Sequence, residues 1–247
     1  MSVAVPHTAM LLAAGLGTRM RPLTDDRPKP MIKVAGRTLI DRLLDVLVAA
    51  GVRRAVVNVH WKAEVLTRHL ERRDDIEIIV SDETGELLET GGGLAKARQK
   101  LGNEPVFVIN TDAFWHPATP APLLNLASAF DPDTMDECLL LAPPQASLGY
   151  HGAGDFLMDG VPGSLAGRLT RRGAAPSAPW AFAGARILKP SLYDDEPVEP
   201  FSANRIWDRV LARGRLFGLP LEAFWLHVGD PRALADAEAR LMSAAGE

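Results

Sequence analysis

The chain has 247 residues, 47% of them hydrophobic, with 27 Lys and Arg against 31 Asp and Glu for a formal net charge of −4. That length buries a sizeable core in one large α/β domain or two small ones, and the composition excludes a disordered chain. The mild acidity gives no hold on nucleic acid, and no apolar run approaches the ~20 residues that span a bilayer, so the expectation is a cytoplasmic protein with neither a nucleic-acid nor a membrane partner.

No charged segment followed by an apolar run and a cleavage site marks a signal peptide at the N-terminus. Residues 8–13 are short and apolar, with Gly15 and Gly17 behind them, and read as a buried strand running into a glycine turn. Thr38 with Asp41 three residues later forms a capping box for a helix striped by Ile40, Leu43, Leu44, Leu47 and Val48, and Gly51 stops it. RAVVNV at 54–59 reads as a strand, followed by a polar helix over about 61–72 and a strand, IEIIV, at 76–80. TGGG at 90–93 reads as a turn leading into a helix through Lys100, and PVFVIN at 105–110 as a buried strand ending near Asp112. This β-α-β-α order predicts a mixed, mostly parallel sheet with helices on both faces.

Beyond Asp131 the pattern changes to short strands near 137–142, 154–158 and 180–187, separated by Gly, Pro and Ala loops. Two helices, over about 202–213 and 231–243, flank a strand at 223–228. No linker divides the chain, which predicts one domain over 1–247, with a nucleotide-binding half over about 1–130 and a substrate half over about 131–247 sharing one sheet. The single cysteine, Cys138, leaves no internal disulfide and no multi-cysteine metal site.

The charge is not evenly spread. Arg19, Arg21, Arg27, Lys29, Lys33 and Arg37, set against Asp25 and Asp26 alone, give the 19–37 segment +4 and the rest of the chain −8. Ligands of open α/β sheets sit at the carboxyl ends of strands, and a glycine turn there lets backbone N–H groups close on an anion. A polyphosphate site follows. It is not the dinucleotide fingerprint, whose third glycine is Met20 here, nor a P-loop, since Gly-Lys-Ser/Thr is absent. The prolines of RPKP stiffen the loop around Lys29.

The run AAGLGTRMRPLT…RPKPMIKVAGRTLI closely resembles the signature of the sugar-1-phosphate nucleotidyltransferases, and weaker similarity continues through ETGGG, NTDAFW and FWLHVGD. The resemblance implies a Rossmann-like fold and Mg²⁺-dependent transfer of a nucleotidyl group from an NTP to a sugar 1-phosphate, with release of pyrophosphate. It implies that Arg19 holds the β- and γ-phosphates, that Lys29 lies between the reacting phosphates, and that Asp112 is a metal carboxylate. Ala14, Gly15, Gly17 and Thr18 would line the nucleotide, with Gly91, Gly92 and Gly93 admitting the base or ribose and Glu89 near it.

The family's W-x-D-x-G-T metal aspartate is His227 here, and Asp230 falls at its threonine position. Mg²⁺ prefers hard oxygens, so the second ligand is His227 or Asp230. Asp230 also precedes Pro231 and an apolar-striped run, which fits a helix N-cap with Pro at N1. LLETGGG and HGAGDF are most similar to the N-acetylmuramate 1-phosphate uridylyltransferases of cell-wall recycling, which points to UTP, with the mannose-1-phosphate guanylyltransferases second and a silent regulatory member third. Asp155 and Asn204 are the candidate sugar contacts, with Trp180 and Trp207 lining the pocket. The family's Glu-Lys-Pro is absent, and Arg168, Arg171 or Arg172 would replace its lysine. The partners implied are the NTP and the sugar 1-phosphate, in a monomer or small homo-oligomer.

Overall fold

A computed structural model describes residues 5–244. The chain starts with β1 (Thr8–Leu12), whose Ala9, Met10 and Leu11 are wholly buried, as a parallel strand covered on both faces requires. A hairpin of β2 (Lys33–Val34) and β3 (Arg37–Thr38) turns on Ala35 and Gly36, both at positive φ, the geometry that two-residue hairpin turns use. Then come α1 (Leu39–Ala49), β4 (Arg54–Val59), α2 (Ala63–Leu70), β5 (Glu77–Asp82), α3 (Glu89–Leu101) and β6 (Val106–Asn110).

At the start of α1, Thr38 Oγ1 accepts from the Asp41 N–H (3.2 Å), as the capping box predicts. The Asp41 carboxylate does not return to the Thr38 backbone. It accepts instead from Thr38 Oγ1 at 2.6 Å and from His69 Nε2 at 3.0 Å, tying α1 to α2. The remaining elements are β7 (Ala113–His116), α4 (Ala121–Ala129), β8 (Glu137–Ala142), β9 (Ser147–Leu148), β10 (Phe156–Gly160), β11 (Gly167–Arg171), β12 (Ala181–Leu188), α5 (Asn204–Ala212), β13 (Leu216–Pro220), β14 (Phe224–His227) and α6 (Pro231–Ala244).

Nine strands form one sheet in the order β10-β11-β13-β8-β12-β6-β1-β4-β5, in which only β11 and β12 run against the rest. Strands from both sides of residue 131 therefore share it. α1, α2 and α4 pack on one face, and α3 and α5 on the other. A three-stranded sheet, β7-β14-β9, lies beside it and pairs His227 with Ala113.

Several elements differ from the sequence reading. TGGG lies inside α3 rather than in a turn. Each glycine costs about 1 kcal/mol in a helix, and packing explains their presence. A Cβ on Gly91 would fall 2.3 Å from the Phe201 ring, and one on Gly92 2.0 Å from the Glu199 carbonyl oxygen. The helix α4 and the strands β2, β3, β7, β9, β11 and β13 are additional elements.

Candidate active site

The site forms where β1 and β6 end. Gly17 sits at φ +62, and a Cβ there would lie 3.1 Å from Thr24 Cγ2 and 3.2 Å from Lys29 Cβ, so only glycine lets the loop fold back over Lys29. Thr24 Oγ1 locks the turn by donating to the Gly17 carbonyl (2.9 Å). Buried Pro28 and Pro30 flank Lys29, which aims at the end of β6. There Thr111 Oγ1 donates to the Leu12 carbonyl (2.8 Å), pinning the following Asp112 beside the end of β1.

Lys29 Nζ lies 3.0 Å from Asp112 Oδ2, and His227 Nε2 lies 3.6 Å from the same oxygen. The Val228 N–H donates to the Asp112 carbonyl (2.8 Å), so β14 delivers His227 to this carboxylate through backbone pairing. Burial pushes the Asp112 carboxyl up, but His227 and the Lys29 ammonium beside it more than reverse that and hold it far below the ordinary carboxylate range. His227 Nδ1 faces the Gly149 carbonyl at 3.2 Å. A carbonyl only accepts, so Nδ1 donates to it and Nε2 is the nitrogen that faces Asp112. A metal-bound histidine whose other nitrogen donates to a backbone carbonyl has this arrangement.

A cavity of about 410 Å³ opens alongside, lined by Ala13, Ala14 and Gly15 on one wall, Leu87, Glu89 and Thr90 on another, and Lys29, Asn58, Asp112 and Ser202 between. Of the six clustered cations, Arg27 is paired with Asp26, Arg37 with Asp45 and Arg21 with Asp25. Arg19 is exposed and forms no ion pair among the described residues, and its Nη1 lies 3.5 Å from where a Cβ on Gly229 would sit, on the His227 side of the loop.

Ala14, Gly15, Glu89, Lys29 and Asp112 thus meet at one cavity, with Gly17, Thr18 and Arg19 on its loop. Several expected residues stand elsewhere. The Gly91 and Gly92 N–H groups donate to the Phe201 carbonyl (2.8 and 3.2 Å), so these donors are already engaged within the chain. Asp230 caps α6, its Oδ1 accepting from the Ala233 N–H (2.9 Å), and no trio of metal-holding side chains forms among the described residues. His227, not Asp230, reaches Asp112.

Asn204 Oδ1 accepts from Arg171 (2.8 Å), which also pairs with Asp208, so this exposed amide serves a surface network rather than a pocket. Arg172 is held by the Gly154 and Ala175 carbonyls, and Arg168 lies over the Phe217 ring. Trp207 is a core residue whose Nε1 donates to buried Glu137 (2.7 Å). Asp155 Oδ2 accepts from the Phe182 N–H (2.9 Å). Asn58, Thr111 and Ser202 were missed by the sequence reading. Asn58 carried a signal, as a lone amide inside the apolar strand RAVVNV.

The nucleotidyl transferase family profile matches residues 8–141. The chain is 47% identical over 243 residues to the N-acetylmuramate alpha-1-phosphate uridylyltransferase of Caulobacter vibrioides, covering 97% of this chain and 98% of that one. It is 30% identical over 231 residues to a probable mannose-1-phosphate guanylyltransferase of Oryza sativa, covering 91% of this chain but 62% of that protein. The inositol-1-phosphate CTP transferase of T. maritima has the same fold, with a TM-score of 0.79 at 20% identity over 98% of this chain and 97% of that one.

Proposed function

The chain belongs to the nucleotidyl transferase family as one of its sugar-1-phosphate nucleotidyltransferases, and from that premise we propose that it joins UTP to N-acetylmuramic acid α-1-phosphate, giving UDP-N-acetylmuramic acid and pyrophosphate. The observation that carries the reaction is the convergence of Lys29 and His227 on one oxygen of Asp112, beside a cavity walled by the glycine loop. The substrate rests on the 47% identity, along nearly the whole of both chains, to a protein of that name.

An oxygen of the sugar phosphate attacks the α-phosphorus of UTP in line, and the bond from that phosphorus to the bridging oxygen of pyrophosphate breaks. Both reactants are polyanions, so the obstacle is charge, and preorganised cations are the remedy. Lys29 is held by Pro28 and Pro30 at the mouth of the cavity and meets the charge that develops on the transferring phosphoryl group. Arg19, on the outer loop, takes the β- and γ-phosphates and steadies the departing pyrophosphate. The N–H groups of Gly15, Gly17 and Thr18 close on the triphosphate. Asp112 and His227 fit a divalent cation, Mg²⁺ in this reading, which would neutralise phosphate oxygens; two protein ligands suffice when phosphates and water complete the shell. Asp155, with one carboxylate oxygen still free to accept, is assigned to a sugar hydroxyl. A cytoplasmic setting, where UTP is at hand, and a place in the reuse of cell-wall sugars belong to this reading.

The test is label transfer. With UTP labelled at the α-phosphate, label should move into a sugar nucleotide only when the sugar 1-phosphate is added. UTP labelled at the γ-phosphate should give labelled pyrophosphate. Label leaving as inorganic phosphate, or none leaving UTP, would sink the proposal.

A further inference from the structure

Glu83 is wholly buried, and each of its carboxylate oxygens accepts one N–H. Asn58 Nδ2 donates to Oε1 at 2.7 Å, and the backbone N–H of Leu88 donates to Oε2 at 3.2 Å. No cation pairs with it among the described residues. Burying such a group costs more than an apolar side chain of the same shape, so packing alone does not account for it.

Its two partners lead to both sides of the cavity: Asn58 lines it, and Leu88 stands between the lining residues Leu87 and Glu89. The Glu83 acceptor fixes which way the Asn58 amide faces, and Asn58 Oδ1 in turn accepts from the Ala13 N–H at 2.6 Å. Ala13 leads directly into Ala14 and Gly15. Leu88 leads directly into Glu89, which stands at φ +59, a conformation unusual for a residue with a Cβ. Gly93 makes room for the link, since a Cβ there would fall 2.8 Å from Glu83 Oε1 and 2.9 Å from Asn58 Nδ2.

We propose that Glu83 is a positioning residue that acts through Asn58 and the Leu88 N–H to fix the glycine loop and the entry of α3 at the spacing that receives the nucleotide. The inference rests on the reading of this cavity as the NTP site. A glutamine at 83 has one acceptor and one NH₂, so one of the two buried N–H groups must face another donor.

Calorimetry with UTP and Mg²⁺ and no sugar phosphate measures binding without turnover. Glu83→Gln should weaken UTP binding by about tenfold or more, while kcat at saturating UTP and the KM for the sugar phosphate stay within about threefold. A parent protein that binds none of ATP, GTP, CTP and UTP would overturn the functional reading itself. A parent that binds UTP, with a folded Glu83→Gln that binds it within about twofold, would overturn this inference alone. A second measurement needs no variant. Amide exchange of the nucleotide-free parent should show Ala13 and Leu88 strongly protected, and exchange at either one as fast as in an open loop would contradict the link.

Discussion

Lys29 and His227 contend for one oxygen of Asp112, and each contact has a measurable consequence. Lys29→Ala should lower turnover by about 10²–10³, the usual effect of losing one preorganised charge-stabilising group. The fold should persist, because Lys29 opens a single 3-10 turn and its neighbours Pro28 and Pro30 supply the local packing. A folded mutant that retains a third or more of parental turnover would remove Lys29 from the mechanism. At His227 the readout is the Mg²⁺ concentration for half-maximal activity. Outer partners of metal ligands are already worth ten- to a hundredfold, so His227→Ala should raise the requirement by about tenfold or more. His227→Asp should lower it, because Mg²⁺ favours carboxylate oxygen over imidazole nitrogen. Identical titrations for the parent and both mutants would exclude His227 as a ligand. Lys29 and Asp112 were legible from motif and position alone. That His227 rather than Asp230 faces Asp112 was not, because only the β7–β14 pairing sets His227 beside the start of β7.

Two helix starts carry their own tests. In α3, Gly92 faces the Glu199 carbonyl so closely that an added methyl must displace backbone. Gly92→Ala should therefore cost about 1–3 kcal/mol, despite the better helix propensity of alanine. At roughly 2–4 °C of melting temperature per kcal/mol for a chain of this length, calorimetry resolves it easily. An unchanged or raised melting temperature would show that α3 and the 199–201 segment are not packed as described. In α6, Asp230→Ala should cost about 0.5–2 kcal/mol, while Asp230→Asn should cost little, since Asn caps as well. Neither should move the Mg²⁺ requirement, and a rise in it with stability intact would return Asp230 to the metal. Strong periodicity made α1 and β4 easy to read. α3 was misread at its start because Thr90–Gly93 has the local preference of a turn, and tertiary contact with Phe201 overrides it. β11 was hidden because Arg168 and Arg171 look like a solvated surface, yet they lie over Phe217, Phe156 and Trp207.

Across the whole molecule, the large sheet sets the glycine loop after β1 and Asp112 after β6 side by side, and the separate β7-β14-β9 sheet brings His227, at the end of β14, to the same carboxylate. No described helix is long and apolar enough to cross a membrane. The first part of the chain was readable because its parallel strands are continuous apolar runs between amphipathic helices. The second part was less so, because its strands are short and pair with partners far away in sequence, as β13 does with β8. The acceptor sugar is the least visible feature of all. Of the arginines offered in place of the family's Glu-Lys-Pro lysine, Arg171 is engaged with Asp208 and Arg172 with backbone carbonyls. The central claim is therefore tested most directly by kcat/KM for pyrophosphate release with N-acetylmuramic acid, N-acetylglucosamine, glucose and mannose α-1-phosphates, each with UTP and GTP. The account predicts that UTP with the muramate is the best pair, ahead of N-acetylglucosamine by about tenfold or more, on the strength of the 47% identity to an N-acetylmuramate alpha-1-phosphate uridylyltransferase. A preference for mannose 1-phosphate with GTP would contradict it.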